Sequence, residues 1–153
     1  PYPWDEDACK VLNEILDATG AVIVLSSDWR LHWNLDDLKG IFTWNGVKKS
    51  PIAITDNNYR SFTDLERERA AEIGAYVDSM GLTNYVVIDD LNIGRFMTHT
   101  NDQDKFFMTK SSMGLKQTGL KDKIINKLKK CKKVSLKDYR AWLFKTSKVW
   151  NLT

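Results

Sequence analysis

AVIVLSSDWR, residues 21–30, is the stretch on which the fold turns. Five apolar residues, most of them β-branched or aliphatic, stop abruptly at Ser26 and Ser27, with Arg30 close behind. A second stretch, NYVVIDDLN at residues 84–92, has the same form and stops at Asp89 and Asp90. Strands buried on both faces read as unbroken apolar runs, and such strands belong to parallel sheets covered by helices. Ligands of open α/β sheets bind just beyond the carboxyl ends of the strands. Hydroxyls and a cation at one strand end, with two carboxylates at the other, have the chemistry of a phosphate site with a divalent metal. The expected geometry sets the two ends side by side on neighbouring strands.

The flanking segments fit this frame. Asp5 or Asp7 caps a helix whose Ala8, Val11, Leu12, Ile15 and Leu16 share one face, and Gly20 suits the left-handed residue that ends it. Residues 31–50 read as a short helix and a loop broken at Gly40 and Gly46, and residues 51–55 as a brief extended segment. Residues 63–80 predict an amphipathic helix with Leu65, Ile73, Val77 and Met80 inward and Glu66, Arg67, Glu68 and Glu72 solvated. Thr63 and Glu66 suggest a capping box. Runs at 95–98 and 105–109 would extend the sheet, and a basic helix follows at 120–128. Strands alternating with helices predict an α/β domain over residues 1–130, with a Rossmann-like, largely parallel sheet flanked by helices. Residues 131–153 read as a basic, aromatic helical extension.

Composition narrows the class. With 153 residues, 42% of them hydrophobic and 28% charged, the chain is long enough for one well-packed core and too apolar for general disorder. A net charge of +3 is too small for a protein that coats nucleic acid. The only cysteines, Cys9 and Cys131, are too few for a disulfide framework, so a reducing, intracellular setting is expected. No apolar run approaches the ~18 residues of a membrane span, and no secretory leader is visible.

Each candidate site has a plain structural alternative. Ser26 and Ser27 could end a strand and cap the following turn; a neighbouring guanidinium, Arg30, makes phosphate recognition the competing reading. Asp89 and Asp90 could cap a turn and pair with a lysine. Adjacent carboxylates after a buried strand are otherwise costly unless a cation satisfies them, and Mg²⁺ takes such oxygens with water and phosphate. Arg69 could simply pair with Glu66 or Glu72 on its helix. His32 and His99 lack metal-ligand spacing, and Cys9 belongs to the core. The aromatic, lysine-rich tail either covers the domain by snorkelling or meets nucleic acid. A Rossmann-type nucleotide binder is disfavoured, because no glycine-rich loop follows a strand.

The ordered set resembles a haloacid dehalogenase-like (HAD) phosphatase domain, nearest the HAD branch of "Swiss Army knife" RNA-repair proteins. The resemblance rests on Ser26-Ser27-Asp28-Trp29-Arg30, then Arg69-Ala70-Ala71-Glu72-Ile73, then Val87-Ile88-Asp89-Asp90, then Gly114-Leu115, and covers roughly residues 5–130. It implies a Mg²⁺-dependent phosphohydrolase acting on nucleotide or nucleic-acid terminal phosphates. The implied catalytic residues are Ser26, Arg69 and Asp90. Ser26, Ser27 and Arg30 would bind the substrate phosphate, and Asp89 and Asp90 the metal.

The family's nucleophile and general acid form an Asp-x-Asp motif on a first, central strand. No apolar run precedes Asp5 and Asp7, so these two are rejected as that pair. The expectation is a sheet lacking its first strand and inactive by itself, completed by an upstream segment of the parent protein, a partner segment or a subunit. The alternative is a catalytically silent HAD-like module that binds nucleic acid or a protein partner in a larger assembly.

Overall fold

A computed structural model describes residues 3–58, 60–97, 103–129 and 141–144, with Lys129 and the last four residues described by backbone alone. Helix α1 (Glu6–Thr19) starts where the Asp5 carboxylate accepts the Ala8 N–H at 3.0 Å. It ends at Gly20, whose φ of 68° turns its N–H back to the Leu16 carbonyl at 2.9 Å, a conformation that costs glycine nothing. Strand β1 (Val22–Leu25) follows, then α2 (Leu35–Trp44) and β2 (Ala53–Ile54). Helix α3 (Leu65–Met80) leads into β3 (Tyr85–Asp89), β4 (Phe106–Met108), α4 (Leu120–Lys129) and β5 (Ala141–Phe144).

The five strands form one parallel sheet in the order β2-β1-β5-β3-β4. Side chains alternate across it, as the pleat requires. Ile23, Leu25, Val86 and Ile88 enter a core with Leu12, Ile15, Leu16, Phe42 and Ile124. Val24, Tyr85 and Val87 enter a second core with Ala70, Ile73 and Val77 of α3. The sheet therefore lies between α1, α2 and α4 on one face and α3 on the other. Trp4 closes the first core beside Asp5, edge-on to Phe42 at 4.7 Å and near Trp29 at 5.5 Å. The α/β fold, its parallel sheet and its flanking helices agree with the sequence reading.

Several local expectations are corrected. Asp64, not Thr63, caps α3, by accepting the Arg67 N–H at 3.2 Å. Gly40 lies inside α2 rather than breaking it. Residues 94–96 form a single 3-10 turn, Gly94–Phe96, instead of a strand, while the 105–109 run does yield β4. On α3, Met80 is exposed, and Glu68 and Glu72 are buried instead of solvated. The helix presents a charged stripe to the rim of the sheet as well as an apolar stripe to the core. Of the C-terminal extension, residues 130–140 and 145–153 lie outside the described residues, as do Cys131 and His99. Residues 141–144 are strand, placed in the middle of the sheet.

Candidate active site

Register fixes the site. Leu25 and Ile88 both lie opposite Phe144, so Ser26 and Asp89, each one step further, emerge at one level on one rim. Two strand spacings separate them, roughly 10 Å. The two strand ends thus share a rim, with β5 between them, and are not on neighbouring strands as the sequence suggested.

Ser26 is fully buried, and its Oγ has no hydrogen-bond partner among the described residues. The hydroxyls of Thr55 and Thr109, one residue past β2 and β4, are buried and partnerless in the same way. Buried polar atoms are nearly always paired, so each such atom in a native structure calls for an explanation. Here the orphaned hydroxyls belong to residues that directly follow parallel strands, where ligands of this architecture bind. Sequence reading missed Thr55 and Thr109; their only signal was a hydroxyl immediately after a short apolar run.

Ser27 and Arg30 have other work. Ser27 Oγ accepts the Trp29 N–H at 3.2 Å and so caps the 3-10 turn Asp28–Leu31. Arg30 donates from Nη1 to the carbonyls of Ser26 and Ser27 at 2.5 and 2.8 Å, from Nε to the Thr55 carbonyl at 3.0 Å, and from Nη2 to Glu72. These bonds tie the ends of β1 and β2 to α3. Burial pushes the Arg30 pKa below its ordinary value, and Glu72 opposes that shift. The cap and the carbonyl contacts thus engage Ser27 and Arg30, two of the residues that the sequence reading set on the phosphate, within the loop.

Arg69 faces the rim instead. Its guanidinium is fully buried, with Nη2 donating to Asp28 Oδ1 at 2.6 Å and Nη1 to Asp89 Oδ2 at 3.3 Å. It therefore links the segment after β1 to the end of β3. Asp89 Oδ1 accepts the Leu91 N–H at 2.9 Å, so Asp89 shapes the turn that follows β3 while its other oxygen faces Arg69.

Arg60, unassigned by the sequence, completes the cluster. It donates from Nε and Nη2 to the two oxygens of Glu72, both at 3.1 Å, and its Nη1 lies 3.1 Å from Asp28 Oδ1. Its pKa lies above the ordinary guanidinium value: burial alone would lower it, but the Glu72 hydrogen bonds and the surrounding carboxylates outweigh that. Three guanidiniums thus meet four carboxylates, those of Asp28, Glu68, Glu72 and Asp89, beneath one rim.

A divalent ion fits this donor set only in part. Among the described residues no three carboxylate, histidine or cysteine groups are placed to hold a metal. Asp89 and Asp90 could begin an oxygen shell for Mg²⁺, whose remaining ligands would be water, phosphate or another strand's carboxylates. Arg69 already supplies a positive charge against Asp89.

Comparison with known families adds an independent finding. A family profile described as the HAD domain in Swiss Army Knife RNA repair proteins matches residues 1–120. The match includes Ser26, Arg69, Asp89 and Asp90, and ends before β5. No curated protein and no solved structure matches the chain.

Proposed function

This chain belongs to the family of HAD domains in Swiss Army Knife RNA repair proteins, and we propose that it is a Mg²⁺-dependent phosphohydrolase domain acting on terminal phosphates of nucleotides or nucleic acids. One observation carries the reading: a buried, partnerless Ser26 hydroxyl shares its rim and level with Asp89, and Arg69 links Asp89 to Asp28. Ser26 donates a hydrogen bond from its hydroxyl to a non-bridging oxygen of the phosphoryl group. Arg69 neutralises charge that grows on those oxygens during transfer, where fixed donors are most effective. Asp89, with Asp90, would hold Mg²⁺, which when bound supplies Lewis-acid stabilisation of the phosphoryl oxygens. Ser27 and Arg30 position the Ser26 backbone.

The nucleophile is the remaining part. A carboxylate attacking phosphorus between Ser26 and Asp89 would project from the end of a strand in the slot that β5 holds. The sequence of β5, Ala-Trp-Leu-Phe, carries no acid. We assign hydrolysis to the form in which an apolar strand ending in Asp-x-Asp occupies that slot, and no turnover to the form with β5 in place. Two cysteines, with Cys9 a buried free thiol, suit a reducing, intracellular setting; no helix among the described residues is long and apolar enough to cross a membrane.

The test is phosphate release from a terminally phosphorylated oligoribonucleotide in Mg²⁺, by the chain as it stands and by the chain with such a strand joined ahead of residue 1. Release is expected only from the extended form, and Asp89→Asn should abolish it. Undiminished turnover in Asp89→Asn would remove the metal role. A second reading, a silent module that binds nucleic acid or a protein partner, is favoured by the acid-free strand in the central slot. It predicts no release from either form and, for an RNA partner, affinity that falls steeply with salt.

A further inference from the structure

Residues 55–58 and 60–64 follow β2 on the site's rim, and Phe62 stands out among them. Its φ of 64° makes it the one non-glycine residue with positive φ among the described residues. For a bulky aromatic that conformation is a strained outlier, which persists only where the surroundings enforce it. The ring gains nothing from burial, since it is 76% exposed and belongs to neither core.

The surroundings do enforce the conformation. Glu68, one turn into α3, accepts the backbone N–H groups of Ser61, Phe62, Thr63 and Asp64 at 3.1–3.5 Å, together with the Ser61 hydroxyl. Successive amides converging on one anion form a nest, and the Phe62 ring is what the nest holds out to solvent. Beside the ring lies Arg60, its Cζ 5.8 Å from the ring centroid. From Arg60 the contacts run inward without a break: Nη1 to Asp28, Asp28 to Arg69, Arg69 to Asp89. At the foot of the loop is Thr55, whose buried hydroxyl has no partner among the described residues. A strained, displayed aromatic, locked by a carboxylate that also faces Arg60 and so joined to the buried cations of the rim, is more than a scattered surface hydrophobe.

We infer that Phe62 is a stacking platform for the nucleobase that adjoins the phosphate entering the rim. The inference rests on the phosphate-site reading above and names the part of the substrate that reading leaves open. Every base offers a π-face, so such a platform accepts nucleotides with little regard to sequence. The Arg60 guanidinium beside the ring adds a cation to the stack.

The test compares two probes by titration calorimetry on the chain as it stands: adenosine monophosphate and ribose 5-phosphate, which carries the phosphate without the base. The unaltered chain should bind the nucleotide about fivefold or more tightly, the lower end of what one stacked base contributes. Phe62→Gly should erase that difference and leave ribose 5-phosphate affinity unchanged, while Phe62→Trp should retain it. Folding is not the confounder, because glycine is at home at this φ and should unfold no more easily than the parent. Equal binding of the two probes by the unaltered chain, or an undiminished nucleotide preference in Phe62→Gly, overturns the stacking role alone. Failure of both probes to bind overturns the phosphate-site reading and this inference with it.

Discussion

At the end of β1, Arg30 donates to three backbone carbonyls and to a carboxylate that is wholly out of solvent. Across the same rim, Arg69 donates to two aspartate side chains that follow two different strands. The first set of acceptors cannot leave without opening the loops after β1 and β2. In the second set Asp28 can, since it keeps 35% of its side chain exposed and can turn toward water, whereas Asp89 is buried. One guanidinium holds the frame, and the other holds a partner, Asp28, that an incoming phosphate could replace. Proximity in sequence pointed to Arg30 as the phosphate ligand, whereas the residue that spans the rim comes from a helix 41 positions beyond Asp28.

The sharpest way to break this comparison is to delete each cation. Arg30→Met leaves Glu72 buried with less compensation and frees three carbonyls, and removing one partner of a buried ion pair costs about 3–5 kcal/mol. Arg69→Met should cost roughly half as much, because Asp28 retains Arg60 and Asp89 retains the Leu91 amide. Urea denaturation of both variants measures the difference; equal losses would mean that both arginines are frame. The milder Arg→Lys pair sharpens the same point. A lysine at 30 cannot reach four acceptors and should lose about 2 kcal/mol, whereas Arg69→Lys keeps its charge at the rim and should keep phosphate affinity within a few-fold.

The adjacent serines repeat the contrast on a smaller scale. Ser27→Ala removes a cap and should cost about 1 kcal/mol without changing phosphate binding. Ser26→Ala removes a buried hydroxyl that has no partner among the described residues, so stability should stay within about 0.5 kcal/mol of the parent or rise. Affinity for inorganic phosphate should nonetheless fall in that variant. A stability loss in Ser26→Ala as large as that in Ser27→Ala would show that its hydroxyl serves the fold.

Much of this frame is legible in the sequence because it depends on local signals. Unbroken apolar runs mark β1 and β3 as doubly covered strands, Asp5 and Gly20 bracket α1, and the register of parallel pairing brings Ser26 and Asp89 to one rim. What is hidden depends on distance along the chain. Glu72 looks like an ordinary solvated helix residue until Arg30 and Arg60, 42 and 12 positions away, are seen against it. The place of β5 is hidden too. Four apolar residues among lysines carry no strand signature of their own, and only the space between β1 and β3 gives them one.

Thr55 and Arg60 connect the two guanidinium regions, since the Thr55 carbonyl accepts from Arg30 and Arg60 reaches Asp28. Acid offers a way to loosen that connection locally. Hydrogen bonds from the Ser61 hydroxyl and the neighbouring amides, working against burial, hold the Glu68 carboxyl down to about 2. A carboxyl with a depressed folded-state pKa contributes stability that is present above its unfolded value, about 4.3, and is lost as pH falls through the folded one. The nest should therefore hold at neutral pH and release between roughly pH 4 and 2, which the amide resonances of Ser61, Phe62, Thr63 and Asp64 would report. Glu68→Gln should give the released spectrum at pH 7, because a neutral amide cannot replace a carboxylate that gathers four N–H groups. Resonances that titrate with a midpoint near the ordinary carboxyl value would mean that Glu68 does not lock the loop, and the strain at Phe62 would then need another source.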